Sequence, residues 1–294
     1  MNFKKKYILI VLGGWSDERQ VSIKSGQNVY RFLKNNNYKV EIFDLHKDNI
    51  FKIFQKKPDL IFNALHGEFG EDGTLSNLAS KHNIPITHSD DLTSALCFDK
   101  RLTKDFLKTK INLDIPSEIN FNHKIFYPII SKPFRGGSSN GVHLIENQKS
   151  LKKFINDKNL MFEEVITGKE LTVTVLNYKN KIIPLGITEI EFNSDIYDYK
   201  SKYTKNKSKH FLPARISKHQ YEYLLDLSVK IFQTCGCRSI ARLDFIQSKK
   251  NRKFYFLELN THPGLTKISL APEQANYQKI SYLDLIENII FSAI

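Results

Sequence analysis

Glu258-Leu259-Asn260-Thr261-His262-Pro263-Gly264-Leu265-Thr266 is the stretch on which the reading of this chain turns. Lys253 to Asn260 reads as a strand that runs straight into a Pro-Gly turn and then a helix-like run. Within it Glu258 and Asn260 stand at i and i+2, and in the preceding predicted strand, Ser239 to Ile246, Arg242 and Asp244 have the same spacing. Side chains alternate faces along a strand, so the members of each pair share a face. Two such strands side by side would gather hard oxygen donors beside a guanidinium, which outlines a magnesium-phosphate site. Cross-strand ion pairing on a solvated sheet face accounts for the same pattern, so the motif needs support from the rest of the chain.

Toward the amino terminus the pattern changes. The apolar run Tyr7 to Leu12, followed by Gly13-Gly14, a helix from about Ser22 to Asn35 and a second strand from Lys39 to Asp44, forms a βαβ unit. A third strand, Leu60 to Ala64, ends at His66-Gly67, and a short helix spans Thr74 to Lys81. Strands alternating with helices predict a parallel sheet, whose ligands sit beyond the carboxyl ends of its strands. One helix is expected over Thr93 to Thr109, then a strand from Tyr127 to Lys132 and strands near Leu160 to Glu164 and Glu170 to Leu176. A strand near Lys181 to Gly186 and helices over Ser217 to Thr234 and Tyr282 to Phe291 complete the pattern.

Between those strands, Lys132-Pro133-Phe134-Arg135-Gly136-Gly137-Ser138-Ser139-Asn140-Gly141 sets a lysine at a strand end before a glycine-rich loop. Backbone N-H groups of such a loop can cradle phosphate oxygens, although the spacing is neither that of a P-loop nor of a dinucleotide fingerprint.

A chain of 294 residues exceeds what one core usually organises, so two or three domains and a cleft between them are expected. Its 41% hydrophobic and 26% charged residues are the balance of a globular protein. No apolar run reaches the ~18 residues of a membrane span, which predicts a cytoplasmic protein. The cysteines Cys97, Cys235 and Cys237 have no repeated metal-site spacing. A net charge of +13 suits nucleic acid, an anionic membrane or an anionic small substrate alike, but the lysines are scattered among Asn and Ile without interleaved aromatic residues. Neither a nucleic-acid nor a membrane partner is therefore expected.

Taken in order, the motifs resemble the D-alanine:D-alanine ligases, enzymes of the ATP-grasp type. They are Gly13-Gly14-Trp15-Ser16-Asp17-Glu18-Arg19, His66-Gly67 with Gly70-Glu71-Asp72-Gly73, Phe98-Asp99-Lys100, Lys132 to Gly141, Tyr197 to Tyr203, Ala241 to Asp244 and Glu258 to Thr266. Together they span about residues 7 to 291.

The resemblance implies an α/β chain with the ATP-grasp fold in three domains. These are an amino-terminal α/β substrate-binding domain (1–92), a central ATP-grasp domain (93–178) and a carboxyl-terminal ATP-grasp domain with metal site and lid (179–294). It implies joining of two D-alanines through an acyl phosphate, with release of ADP and phosphate, for peptidoglycan precursor synthesis. ATP is then a co-substrate, the cofactors are two Mg2+ or Mn2+ ions, and the protein is a homodimer.

The same resemblance distributes roles over the residues. Asp244, Glu258 and Asn260 would bind the metal ions, and Lys100, Lys132 and Lys202 the ATP phosphates. Glu163, Glu164, Ile166 and Glu170 would meet adenine and ribose. Glu18 and His66 would receive the first D-alanine, and Ser269-Leu270 the carboxylate of the second. Arg242 and the Gly264 N-H would stabilise the tetrahedral oxyanion, while Tyr203 closes a lid toward Ser138 and Glu18.

Trp15 departs from the small hydroxyl residue common at its place, and its indole must find room beside the first subsite. Two other readings are kept. One is a ligase that joins D-alanine to D-lactate or D-serine, and the other a catalytically inactive basic protein that binds nucleotide or nucleic acid.

Overall fold

The computed structural model describes residues 3–137, 140–192 and 208–293. The first strand, β1 (Ile8–Gly13), is buried along its whole length, as its unbroken apolar run requires of a strand covered on both faces. It is flanked in parallel by β2 (Val40–Leu45) and β3 (Leu60–Asn63), giving the order β2-β1-β3. Helix α1 (Arg19–Asn35) crosses from β1 to β2, and the single turn α2 (Lys52–Gln55) lies between β2 and β3. Both expected ligand-facing turns, Gly13-Gly14 and His66-Gly67, follow carboxyl ends of these strands.

After α3 (Thr74–Lys81) the expected single helix over Thr93 to Thr109 is two helices, α4 (Asp91–Phe98) and α5 (Lys100–Lys110). The break is at Asp99, which is extended (φ −93°, ψ 107°) and accepts hydrogen bonds from the N-H groups of Arg101 and Leu102. An aspartate in that conformation is an N-cap, and it restarts the helix so that Lys100 occupies its first turn.

A small antiparallel sheet follows, β5-β4-β6, made of β4 (Ile129–Pro133), β5 (His143–Ile145) and β6 (Leu160–Glu164), with the single turn α6 (Gln148–Leu151) between β5 and β6. The third sheet, β11-β10-β7-β8-β9, is antiparallel. It comprises β7 (Gly168–Tyr178), β8 (Lys181–Phe192), β9 (Ser208–Phe211), β10 (Ile240–Ser248) and β11 (Phe254–Asn260). Helix α7 (Lys218–Thr234) starts with a capping box, in which Ser217 and Gln220 satisfy each other's backbone N-H groups, and then packs on this sheet through Leu224, Leu227 and Ile231. The chain ends in α8 (Leu270–Tyr277) and α9 (Tyr282–Phe291).

One buried cluster joins Ile8, Ile10, Val29 and Phe62 of the first block to Leu176, Leu185 and Ile240 of the large sheet and to Leu285, Ile286 and Ile289 of α9. That shared core holds the ends of the parallel sheet against the turn after β11. No helix among the described residues is long and apolar enough to cross a membrane.

Candidate active site

Antiparallel pairing sets Arg242 of β10 opposite Asn260 of β11 and Asp244 opposite Glu258. The four side chains share one face and line a single cavity of about 280 Å³. Arg242 donates from Nη2 to Asp244 Oδ2 at 2.7 Å and from Nε to Oδ1 at 3.0 Å, and lies 3.8 Å from Glu258. Thr172, opposite Asp244 on β7, donates its hydroxyl to Oδ1 at 2.6 Å. Glu258 is also met by Lys100 at 3.2 Å, and the Lys100 ammonium donates to the Gly136 carbonyl at 2.6 Å. The Asn260 Oδ1 accepts the His262 N-H at 2.6 Å, which fixes the turn.

Asp244, Glu258 and Asn260 thus offer hard oxygen atoms on adjacent strands, with Arg242 and Lys100 alongside. That donor set fits magnesium or manganese, which take carboxylate and amide oxygens together with substrate phosphates and water.

At another wall, Lys132 of β4 lies 2.7 Å from Glu163 of β6, and both are nearly inaccessible, 9% and 3% exposed. Lys104 of α5 holds the other oxygen of the same carboxylate from behind. The Glu163 side chain is therefore bound to two lysines, and the residue also lines the cavity. Glu164 accepts the Ser117 N-H at 2.9 Å, and Ile166 and Glu170 line the cavity beside it.

The carboxyl ends of the parallel sheet supply the third wall. Glu18, just before α1, is buried against Gly137, where a Cβ would come within 3.1 Å of the Glu18 carboxylate, so a larger residue there would press on it. Burial disfavours charge on His66, but the Glu71 carboxylate 3.1 Å from its Nδ1 outweighs that and holds the His66 pKa above its ordinary value. Gly264 approaches Ser269 so closely that a Cβ would stand 2.9 Å from its hydroxyl. Ser269, the residue before α8, accepts the Thr266 N-H at 3.0 Å, and Leu270 opens that helix.

All the candidates from Glu18 to Leu270 that fall among the described residues line this one cavity. Ser138, Lys202 and Tyr203 lie outside the described residues, as does the Tyr197 to Tyr203 stretch. Trp15 turns away from the cavity and packs on Phe69 with ring centroids 5.0 Å apart, so its bulk does not crowd the site. Sequence reasoning passed over Lys104, Glu71 and Thr172. Lys104 had a signal, since it follows Lys100 by one helical turn on the same face.

Residues 104–291 match the family described as D-ala D-ala ligase C-terminus. The D-alanine–D-alanine ligase of Rickettsia canadensis is 40% identical over 300 residues, covering 98% of this chain and 84% of that protein. A crystal structure of the D-alanine–D-alanine ligase from Bacillus anthracis complexed with ATP superposes with a TM-score of 0.81 at 27% identity, covering 98% of this chain and 96% of that one. The VanG D-Ala:D-Ser ligase of Enterococcus faecalis is similar at a TM-score of 0.80 and 26% identity, covering 98% and 99%.

Proposed function

The chain belongs to the D-alanine–D-alanine ligase family, and from that premise we propose how its cavity carries out the reaction. The enzyme is an ATP-dependent ligase that joins two D-alanines, with release of ADP and phosphate, and its product serves peptidoglycan synthesis. The observation that carries the assignment of roles is the β10–β11 register, which brings Arg242, Asp244, Glu258 and Asn260 together on the cavity wall.

In the first step a carboxylate oxygen of one D-alanine attacks the γ-phosphorus of ATP, and the bond to the β,γ-bridging oxygen breaks. In the second, the amine of the other D-alanine attacks the acyl phosphate carbonyl, loses a proton, and phosphate leaves. Both steps concentrate negative charge, so pre-positioned cations and N-H donors accelerate them.

Lys100 and Lys132, both in the cavity lining, bind the phosphates. Glu18, with His66 behind it, receives the ammonium of the first D-alanine. Ser269 and Leu270, at the start of α8, meet the carboxylate of the second, where a helix amino terminus favours an anion. Arg242, already held by Asp244, and the Gly264 N-H face the oxyanion that forms as the amine adds. Glu163, Glu164, Ile166 and Glu170 border the adenine and ribose, and the Glu163 side chain also holds the phosphate contact Lys132. Asp244, Glu258 and Asn260 would hold the divalent ions, Mg2+ or Mn2+, which when bound neutralise phosphate oxygens.

The proposed domain divisions fall at residues 92 and 178, the first inside the first turn of α4 and the second at the end of β7, before the turn into β8. A homodimer in the cytoplasm completes the reading; light scattering of the purified protein tests the assembly. ADP release with Mg-ATP tests the reaction, comparing D-alanine with L-alanine, D-serine, D-lactate and glycine. D-alanine should serve both subsites, and preferred use of D-serine or D-lactate as second substrate would reassign the chain within its family.

A further inference from the structure

Three charged side chains from three elements meet behind the cavity wall. Glu163 of β6, Lys132 of β4 and Lys104 of α5 are each at most 9% exposed. Lys132 takes one oxygen of Glu163 at 2.7 Å and Lys104 takes the other. Lys132 and Glu163 line the cavity, whereas Lys104 stands behind Glu163 and does not reach it. Among the other charges of α5, Lys100 is held by Glu258 and the Gly136 carbonyl, and Lys108 by Asp105. The cluster thus contains two buried lysines for one buried carboxylate.

We propose that Lys104 is a positioning residue for nucleotide binding: it balances the charge of Glu163, so that Lys132 can be shared with the ATP phosphates. The inference rests on the reading of Lys132 as a phosphate contact. Without Lys104, Lys132 and Glu163 would form a closed neutral pair. An arriving phosphate would then have to compete with a buried carboxylate for one ammonium and lie next to that carboxylate, and like charges side by side in a poorly solvated site are costly. Burial, and next the charge of Lys132, hold the Lys104 pKa down to about 7, so the protonation of Lys104 responds to the anionic charge around it.

The test is calorimetric titration with Mg-ATP in the absence of D-alanine, and with adenosine as a ligand that lacks phosphate. Lys104→Met should weaken Mg-ATP by about tenfold or more and leave adenosine within about twofold, while Lys104→Arg stays within about threefold of the parent for Mg-ATP. Because Lys104 acts through Glu163, adding Lys104→Met to a Glu163→Gln background should change Mg-ATP affinity by no more than about twofold. Equal weakening of Mg-ATP and adenosine, no weakening of Mg-ATP, or a full tenfold loss in the Glu163→Gln background would each overturn the inference. The last comparison stands even if Lys104→Met alone does not fold, since the double variant leaves no unbalanced buried carboxylate. Lys132→Met separates the two readings. If it too leaves Mg-ATP affinity unchanged, the phosphate role of Lys132 fails; if it weakens Mg-ATP while Lys104→Met does not, only the role of Lys104 fails.

Discussion

Asp244 and Glu258 are each met by a cation, Arg242 at 2.7 Å and Lys100 at 3.2 Å, and these contacts define what each substitution removes. Glu258→Gln or Asp244→Asn keeps the shape and deletes one anionic donor from the proposed metal set. Turnover at saturating magnesium should fall by at least ~100-fold, the scale of losing one strong electrostatic stabiliser, with the fold intact by circular dichroism. Arg242→Ala acts on a charge that develops only during the reaction, so kcat should drop far more than ATP affinity, as steady-state kinetics beside direct ATP binding would show. Equal losses in both would remove the assigned role. These residues were legible because strand alternation alone puts Arg242 with Asp244 and Glu258 with Asn260. Lys104 was less so: its spacing puts it on the face of Lys100, but a lysine in a run as polar as Lys100 to Lys110 reads as solvated. What buries it is Glu163, a partner on a strand far along the chain.

At the scale of elements, the decisive feature is the restart of the helix at Asp99. Apolar periodicity runs on from α4 into α5, which is why one helix was expected, and the break comes from capping chemistry instead. The Asp99 carboxylate accepts two N-H groups of α5 and also the Arg135 guanidinium at 3.2 Å, while the Lys100 N-H donates to the Phe134 carbonyl at 2.8 Å. The cap therefore ties the first turn of α5, with Lys100, to the glycine-rich segment after β4. Asp99→Ala should cost about 1 kcal/mol for the lost cap and raise the KM for ATP severalfold. Asp99→Asn, which keeps an acceptor, should retain most of both. Urea unfolding and ATP kinetics on the two variants check this, and an Asp99→Ala variant with unchanged KM would show that the cap serves stability alone. The strands proved easier to read than this helix pair, since β10 and β11 alternate buried apolar residues with less buried ones over much of their length, and β4 and β6 open on short apolar runs.

At the scale of the molecule, the first block and the large sheet are joined at the turn after β11, and His88 and His262 stack there with ring centroids 4.4 Å apart. No local pattern disclosed that contact, because the two histidines are far apart in sequence and each alone reads as an ordinary polar residue. Both are almost wholly buried, 3% and 1% exposed. Asn63 of β3 lies 3.1 Å from the His262 ring, and each histidine has the hydroxyl of the preceding threonine 3.0 Å from its Nδ1. Burial, and next the charge of His66, hold the His88 pKa down to about 3; burial also holds His262 well below its ordinary value. The His88 ring is therefore neutral in the native protein near pH 5 and the His262 ring resists protonation in the same direction, whereas in the unfolded chain both take up protons below about pH 6.5. The unfolded state then binds more protons, so stability is present above pH 6.5 and is lost as pH falls toward the native value. His66 has the opposite shift, and its contribution is fully present below pH 6.5, so it adds no slope in that range. Between pH 7 and pH 5 the loss should be about 2 kcal/mol for His88, with a further loss of the same sign from His262. His88→Asn is the variant to compare, because His88 has φ 74°, a left-handed conformation that asparagine tolerates. It should be less stable than the parent at pH 7, for want of the stacked ring, yet lose about 2 kcal/mol less on going to pH 5. Urea unfolding at pH 7, 6 and 5 would decide it: parallel losses in parent and variant would mean that His88 is not the group whose protonation loosens the junction.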